Sequence, residues 1–428
     1  MMKSKWLCCS ASRALAVSAA LMLVNSVWAT DKEKVLFSFT GGNDGGDPAA
    51  GLILDKAGNL YGTTVVGGTG TACEGGCGTV FELTRNSDGT WHESVLHNFQ
   101  AGADGKNPYG GVTLDAKGNL YGTTASGGSG GVCSGDGCGT VFRLARSGKS
   151  WHEIVLYSFT GAKDGASPGG GVVFDSKGNL YGTTPDGGKP NGCGGNGCGV
   201  VYQLVPAKGG AWRQKVIHTF TGGKDGSTGS LGLLLLDQAG NLYGVAEAGG
   251  AHGAGTAFEL SPLSDGKWQL NTLDGFKGMP HAGFPYGGLI SDVTGSLYGT
   301  TYFGGANGLG SVFKLTQSSN GKWSERELYS FEAGTDGNSP TSTVVFDAQG
   351  NLYGTTSAGG DSNGDGTVFK LTPASGGKWK ESVVHRFENS PDGANPYYGM
   401  ALDRAGNLYG TTAIGGAQGQ GVIFEIIP

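Results

Sequence analysis

Asp55-Lys56-Ala57-Gly58-Asn59-Leu60-Tyr61-Gly62-Thr63-Thr64 recurs six more times along this 428-residue chain. The further copies begin at Asp115, Asp175, Asp237, Asp292, Asp347 and Asp403, and five of the seven keep N-L-Y-G-T-T intact. Copies lie 55 to 62 residues apart. A period of that length marks one supersecondary unit per repeat, stacked on its neighbours. Each unit spells four short strands. An apolar stretch ends at the Asp, as in Gly51-Leu52-Ile53-Leu54-Asp55. A tight turn follows, then L-Y-G-T-T. A glycine-rich loop with a Gly-Gly pair (Gly67-Gly68, Gly415-Gly416) leads to the third strand, G-T-V-F-x-L in its commonest form. A polar turn such as Asn86-Ser87-Asp88-Gly89 leads to a tryptophan and a fourth strand ending in Phe. Period-two alternation, β-branched residues and Gly/Asn/Asp punctuation are strand signatures.

Four strands per unit and seven units predict an all-β chain, a seven-bladed β-propeller of four-stranded blades. The last repeat reaches Pro428 just after its third strand, while Lys34-Val35-Leu36-Phe37-Ser38-Phe39 precedes the first repeat and matches a fourth strand. That N-terminal strand is expected to complete the last blade and close the ring, removing two free edges. No stretch after the leader shows a 3.6-residue apolar period with helix caps. One propeller domain over residues 30–428 is expected.

Residues 1–29 have the form of a secretory signal peptide. Lys3, Lys5 and Arg13 are its basic part, Ala14 to Val24 its apolar part, and Val27-Trp28-Ala29 a small-residue cleavage site. The apolar run is too short to span a bilayer, and no later run is longer. An exported chain without a membrane span is expected. Without the leader, 26 basic residues face 35 acidic ones, a net charge of −9. A nucleic-acid partner calls for a basic footprint, so that class is excluded. Glycine, at 86 residues, has no G-X-Y period, so the chain reads as a repeat fold of tight turns and not as low complexity.

The repeated residues have structural work to do. Asp55 and its equivalents can accept backbone N–H groups across the turn, and Gly58 suits a left-handed position. Tyr61 can bury its ring while its hydroxyl finds a partner. Equal spacing in every unit is what a turn demands, whereas a catalytic site needs unlike groups brought together. Trp91, Trp151, Trp212, Trp268, Trp323 and Trp379 start the fourth strands and are expected to cover blade edges. His97, His218 and His385 share one fourth-strand position with Tyr157 and Tyr329, expected to serve packing or surface. Between units, D-G-x-x-P from Asp44, Asp104, Asp164, Asp336 and Asp392 makes a turn before the next blade.

Repeats of the form D-x-x-G-N-L-Y-G-T-T-x-x-G-G, followed by G-T-V-F-x-L and a Phe-ended strand, resemble the GloVer tandem-repeat proteins. The likeness covers nearly all of the chain beyond the leader. It implies an exported bacterial protein, and the family brings no established activity. The D-x-x-G-N-L-Y core is also similar to NHL-type and gluconolactonase-type propeller strands, a likeness of fold that carries no function.

Function is expected where the repeat is broken, on the face carrying the second-to-third-strand loops and the blade connectors. In the first three repeats those loops are longer and hold Cys73/Cys77, Cys133/Cys138 and Cys193/Cys198. An even count in an exported chain implies disulfides, and one close pair per blade favours three local bridges. The fourth copy reads Leu242-Tyr243-Gly244-Val245-Ala246-Glu247, with His252 in its loop. The next connector has His281-Ala282 for Asp-Gly, and adds Phe284. Glu247, His252 and His281 are catalytic candidates, since a Glu/His group suits acid/base or metal chemistry. His281 and Phe284 are binding candidates. Asp361-Ser362-Asn363-Gly364-Asp365-Gly366 fits the opening of a calcium loop through Asp361, Asn363 and Asp365, but Thr372 stands where an EF-hand has its bidentate Glu. No other cofactor is expected. The reading is a secreted, non-catalytic binding or structural module at the cell envelope or outside it, monomeric, with a glycan or protein ligand. The alternative is a propeller lyase or hydrolase acting on a carbohydrate or lactone.

Overall fold

The computed structural model describes residues 32–428 apart from Ala49, Ser134, Lys149, residues 190–192, Ser230, Leu231 and Ala333. The leader assigned to residues 1–29 lies outside the described residues. Seven antiparallel sheets follow the seven repeats in order. Blade 1 is built from Ile53–Leu54, Leu60–Thr64, Thr79–Arg85 and Trp91–Asn98, each strand paired to the next. The others repeat this order. Blades 4 and 5 gain a fifth strand, Ser227–Gly229 and Ala282–Pro285, from their altered connectors. Blade 7 takes its fourth strand from the N-terminus: Lys32–Ser38 pairs antiparallel with Val422–Ile427. The expected closure is therefore present. It even carries the same register shift, between Val35 and Phe37, that the other blades show after the first residues of the third strand.

The repeated decapeptide closes on itself. Asp55 Oδ1 accepts the backbone N–H groups of Ala57 and Asn59 at 2.8 and 2.9 Å, and its Oδ2 accepts the Asn59 amide at 2.9 Å and the Tyr61 hydroxyl at 3.3 Å. The same bonds recur around Asp115, Asp175 and Asp403. A carboxylate with four donors is spent on the turn. The hydrogen bonds outweigh burial and hold Asp115, Asp175 and Asp347 below the usual carboxylate range.

The core lies between blades. Each fourth-strand Phe meets the third-strand aromatic of the next blade. Phe39–Phe81, Phe99–Phe142, Phe159–Tyr202, Phe220–Phe258, Phe276–Phe313, Phe331–Phe369 and Phe387–Phe424 have centroids 4.9 to 5.4 Å apart. All fourteen rings are fully buried. Edge-to-face pairs add about 1 kcal/mol each to the area they bury. The glycine of L-Y-G makes room for these rings: a Cβ on Gly62 would lie 2.6 Å from Phe81 Cζ. The tryptophans also sit in the seams. Trp91 packs on Tyr409, Trp268 on Tyr181 and Trp379 on Tyr298, the repeat tyrosine of the preceding blade in each case. They join blades, where the sequence suggested edge covers.

Three further devices stitch the ring. The first Thr of T-T reaches the next blade: Thr123, Thr300, Thr355 and Thr411 donate to the carbonyls of Gly170, Ser342, Tyr398 and Ala50. Near the axis, the residue four before each repeat Asp touches its neighbour's equivalent. A Cβ on Gly111 would meet Gly51 O at 2.8 Å, one on Gly51 would meet Gly399 O at 3.1 Å, and one on Gly399 would meet Thr343 O at 3.0 Å. At the outside, Gln214 donates to the Asp164 carbonyl of the preceding connector at 3.1 Å. Glu33, Glu93, Glu153, Glu325 and Glu381 hold the equivalent place in the strand register. Each leaves a buried Oε1 without a partner. Burial pushes Glu93, Glu153, Glu325 and Glu381 up to about 7, aided by the neighbouring Asp44, Asp104, Asp274 and Asp336 respectively.

Candidate functional site

The connectors run from the outer edge of one blade to the axis of the next, and their shape is set by two residues. The Asp of D-G accepts the backbone N–H four residues earlier, as in Thr160 to Asp164 and Glu332 to Asp336. It also takes the fourth-strand residue seven positions earlier. Tyr157 donates to Asp164 at 2.9 Å and Tyr329 to Asp336 at 2.8 Å. His218 and His385 lie 3.2 and 2.9 Å from Asp225 and Asp392, and His97 lies 3.7 Å from Asp104. The shared His/Tyr position is thus a clasp for the connector, a role that the expectation of packing or surface missed. Three residues after the Asp, the chain turns left-handed before proline. Asp47, Asn107, Ser167, Phe284, Ser339 and Asn395 all have φ between 52° and 58°. Asn and Asp tolerate this region, while a bulky residue such as Phe284 is held there only by its surroundings.

The strained turn throws the residues after proline toward the axis. These include Tyr109, Tyr286, Thr341, Tyr397 and Tyr398. Tyr109 and Tyr398 line an axial cavity of about 330 Å³, whose walls are otherwise Thr343, glycines and apolar residues such as Ile53, Val173, Leu235, Ile290 and Val345. Tyr286, Thr341 and Tyr398 line a recess of about 30 Å³ beside it. Tyr286 lies 6.1 Å from Tyr302, Tyr302 lies 4.2 Å from Phe303, and Phe303 lies 6.0 Å from Phe284. A mouth of tyrosines with a phenylalanine lip results.

Two carboxylates lie within electrostatic reach of these rings. Burial lifts the Asp47 carboxyl to about 6, and burial raises Glu247 as well. Tyr286 is pushed up to about 12, first by burial, then by Glu247 and the hydroxyls of Tyr302, Tyr397 and Tyr109. Tyr398 is raised by burial, then by Tyr286 and Asp47. The two central tyrosines thus lie within electrostatic reach of each other, and Glu247 and Asp47 act electrostatically on Tyr286 and Tyr398 respectively. The sequence singled out Glu247 and Phe284 but not the tyrosines. The signal was available as Pro108-Tyr109, Pro285-Tyr286 and Pro396-Tyr397-Tyr398.

The expected trio divides between two places. Glu247 acts on Tyr286 at the mouth. His281 lines an outer recess of about 150 Å³ with Asp274, Lys277 and Glu325, and His252 acts on Asp274. Asp274 and His281 stand seven residues apart, with the acid and the base exchanged relative to His218/Asp225. Both side chains line the recess, at the positions of the connector clasp. At the suggested calcium loop, Asp361 Oδ1 accepts the N–H groups of Asn363 and Gly364, a local turn. Asp365 is buried, with burial and the charges of Asp361 and Asp392 raising it. Among the described residues, no three His, Cys, Asp or Glu side chains are grouped to hold a metal.

The cysteines pair as expected: Cys73–Cys77, Cys133–Cys138 and Cys193–Cys198. The second cysteine of each pair is fully buried. Its carbonyl receives the N–H of the left-handed residue in the next connector for Cys77 and Cys138 (Asn107 and Ser167). The first staple therefore braces the connector that carries Tyr109 to the mouth. On the opposite face, a cavity of about 520 Å³ between blades 3 and 4 is lined by Asp175, Asn179, Lys215 and Trp268. Its Asp and Asn are already engaged in the repeat turn.

Seven four-stranded repeats closed by a terminal strand, with a tyrosine mouth on the connector face, define a tandem-repeat β-propeller. The chain belongs to the Gloeobacter/Verrucomicrobia repeat family, whose model matches residues 23–234 and 230–428. Among curated proteins, none matches it. It is similar in structure to a fungal alcohol oxidase of the AA5 family in complex with copper, with 15% identity and a TM-score of 0.55, covering 93% of this chain and 76% of that one. It is also similar to PorZ, a bacterial surface component of the type-IX secretion system of Porphyromonas gingivalis, with 15% identity and a TM-score of 0.52. That match covers 92% of this chain and 48% of PorZ, so the chain spans about half of PorZ's length. At such identity the likeness is one of fold.

Proposed function

We propose that this protein is an exported, non-catalytic propeller that binds a glycan at the tyrosine mouth of its connector face. The observation that carries the reading is the convergence of Tyr109, Tyr286 and Tyr398, from three separate connectors, on one axial cavity and its recess. Tyrosine offers an apolar face to the C–H side of a sugar ring and a hydroxyl to its polar edge. Concave sites of this size suit a small ligand or a chain end. Export is supported by the leader-like residues 1–29 and by three disulfides, which persist in oxidising compartments. A glycan array probed with residues 30–428 tests the reading. Binding to a defined glycan set, lost in Tyr286→Ala with Tyr398→Ala, is the expected result. Silence across the array, or binding indifferent to both substitutions, would remove it.

The lyase or hydrolase alternative rests on the outer recess, where Asp274, Glu325 and His281 offer acids and a base. A panel of glycosides and lactones tests it. Turnover abolished by His281→Ala would replace the binding reading with a catalytic one.

A further inference from the structure

We infer that the glycan held at this mouth carries an unbranched alkyl or acyl chain, which passes through a collar of glycines into the axial cavity. This inference rests on the glycan reading. The collar is formed by the residue four before each repeat Asp: glycine in five blades, Leu233 in blade 4 and Thr343 in blade 6. A Cβ on Gly171 would lie 3.2 Å from Gly111 O and 2.9 Å from Leu233 Cδ2, and one on Gly288 would lie 2.8 Å from Leu233 O. The Gly288 N–H donates to Thr343 Oγ1 at 2.8 Å. The same close approach runs from Gly111 to Gly51, from Gly51 to Gly399 and from Gly399 to Thr343, so the collar closes around the axis. Thr343 and Gly399 line both the recess that holds Tyr286 and the cavity itself. Tyrosine, collar and wall follow one another along the chain, as Tyr109, Gly111 and Val112 or as Tyr398, Gly399 and Met400. A group held at the tyrosines therefore has the collar in front of it and the cavity beyond.

Past the collar there is little for a sugar to bond. Among the described residues, no charged side chain lines the cavity. Two residues before each repeat Asp the wall is Ile53, Val173, Leu235, Ile290 and Val345. Thr113 has that place in blade 2, and its hydroxyl is spent on the Val172 carbonyl at 2.6 Å. Next to the collar, the carbonyls of Ala50, Gly170, Ser342 and Tyr398 already receive repeat threonines. A sugar pushed this far would give up water at its hydroxyls without full replacement. An apolar cavity, by contrast, takes apolar guests. Leu233 supplies a contact at the entrance: it is 44% exposed and lines the cavity from the collar. The volume of about 330 Å³ holds a chain of roughly ten carbons, taking ~30 Å³ for each, near a water's share of its liquid. The site thus pairs a tyrosine mouth for a sugar ring with an apolar shaft for a chain, which is the division of an amphiphilic glycoside.

Calorimetric titration of residues 30–428 tests this. The probes are the methyl and octyl glycosides of glucose, galactose and N-acetylglucosamine, and 1-octanol, all below micelle-forming concentrations. At least one octyl glycoside is expected to bind about a hundredfold or more tighter than its methyl partner, from about threefold for each added methylene that is buried. Leu233→Asp, at an exposed position, should weaken the octyl form about tenfold and leave the methyl form unchanged. Leu233→Asn, a milder change, takes its place if the charge lowers the melting temperature. Octyl glycosides no tighter than methyl ones, or an octyl preference indifferent to the Leu233 variants, would overturn this inference and leave the glycan reading standing. Octanol bound as tightly as the octyl glycosides would overturn both, as would silence toward the whole set.

Discussion

In blades 1 to 3 a disulfide sits in the loop beside each connector, and in blade 2 Thr123 donates across the seam to the Gly170 carbonyl. At the junction of blades 4 and 5 the same places read differently. Ala254, whose carbonyl receives the Phe284 N–H, stands where Cys77 and Cys138 stand. Val245 replaces the threonine that crosses to the next blade. Asp274 and His281 stand at the clasp positions with acid and base exchanged. Phe284 occupies a left-handed turn that costs it more than it costs Asp47 or Asn107. What this junction gains is the chemistry at the mouth: Glu247, Tyr286, Tyr302 and Phe303. The staples brace one side of the ring, which gives Tyr109 to the mouth, and the junction without them gives Tyr286.

The comparison can be broken at the axis first. Gly111→Val drives a branched side chain toward the Gly51 carbonyl, 2.8 Å from its Cβ, and should cost about 3 kcal/mol in urea unfolding. Leu233→Gly, at the place in blade 4 where a side chain is already accommodated, should cost less. Next, replacing Cys133 and Cys138 together by Ala should cost about 2 kcal/mol, the chain-closure value for so short a loop. An unchanged transition would remove the bracing role. Third, Thr300→Val strips the 2.8 Å bond to Ser342 O and should cost about 1 kcal/mol, whereas Val245→Thr should return a similar amount to blade 4. Thermal melts of the two variants in parallel decide whether the missing threonine is a real weakness of that seam.

The smallest effect concerns pH. Glu93, Glu153, Glu325 and Glu381 have folded values near 7 against an ordinary 4.5, so the fold keeps protons that the unfolded chain releases. Their contribution is fully present below pH 4.5 and is lost as pH rises through 7. Asp115, Asp175, Asp292 and Asp347 are shifted down and act oppositely: their contribution is lost as pH falls below 3.8. Melting temperature should therefore peak near pH 4 to 6 and decline toward pH 8. Glu93→Gln, which copies Gln214, should flatten the decline and add about 1 kcal/mol at pH 8 once solvent screening is allowed for. A melting temperature that climbs from pH 5 to 8 would contradict the assignment.

The blade was legible in the sequence because its contacts are local. Asp55, Asn59 and Tyr61 meet within seven residues, and the cysteine pairs lie four or five apart. Ring closure was legible because Lys34 to Phe39 repeats a pattern that the last unit lacks. The seams were harder. Phe99 meets Phe142, and Gln214 meets Asp164, only once neighbouring blades are in register. The His/Tyr clasp was hidden by the register shift in each third-to-fourth-strand pair, which turns His97 and Tyr157 toward the connector. The mouth was hardest of all: Tyr109 and Tyr398 are nearly 300 residues apart in sequence, and only a closed ring brings them to one cavity.

Hydroxyl-radical footprinting of residues 30–428, with and without the best glycan from the array, tests the central claim most directly. Tyr109 and Tyr397 are more than a third exposed and should label freely in the unliganded protein. The account predicts that the glycan protects both and leaves Trp268, in the cavity of the opposite face, unchanged. Protection of Trp268 with Tyr109 and Tyr397 still labelled would contradict it.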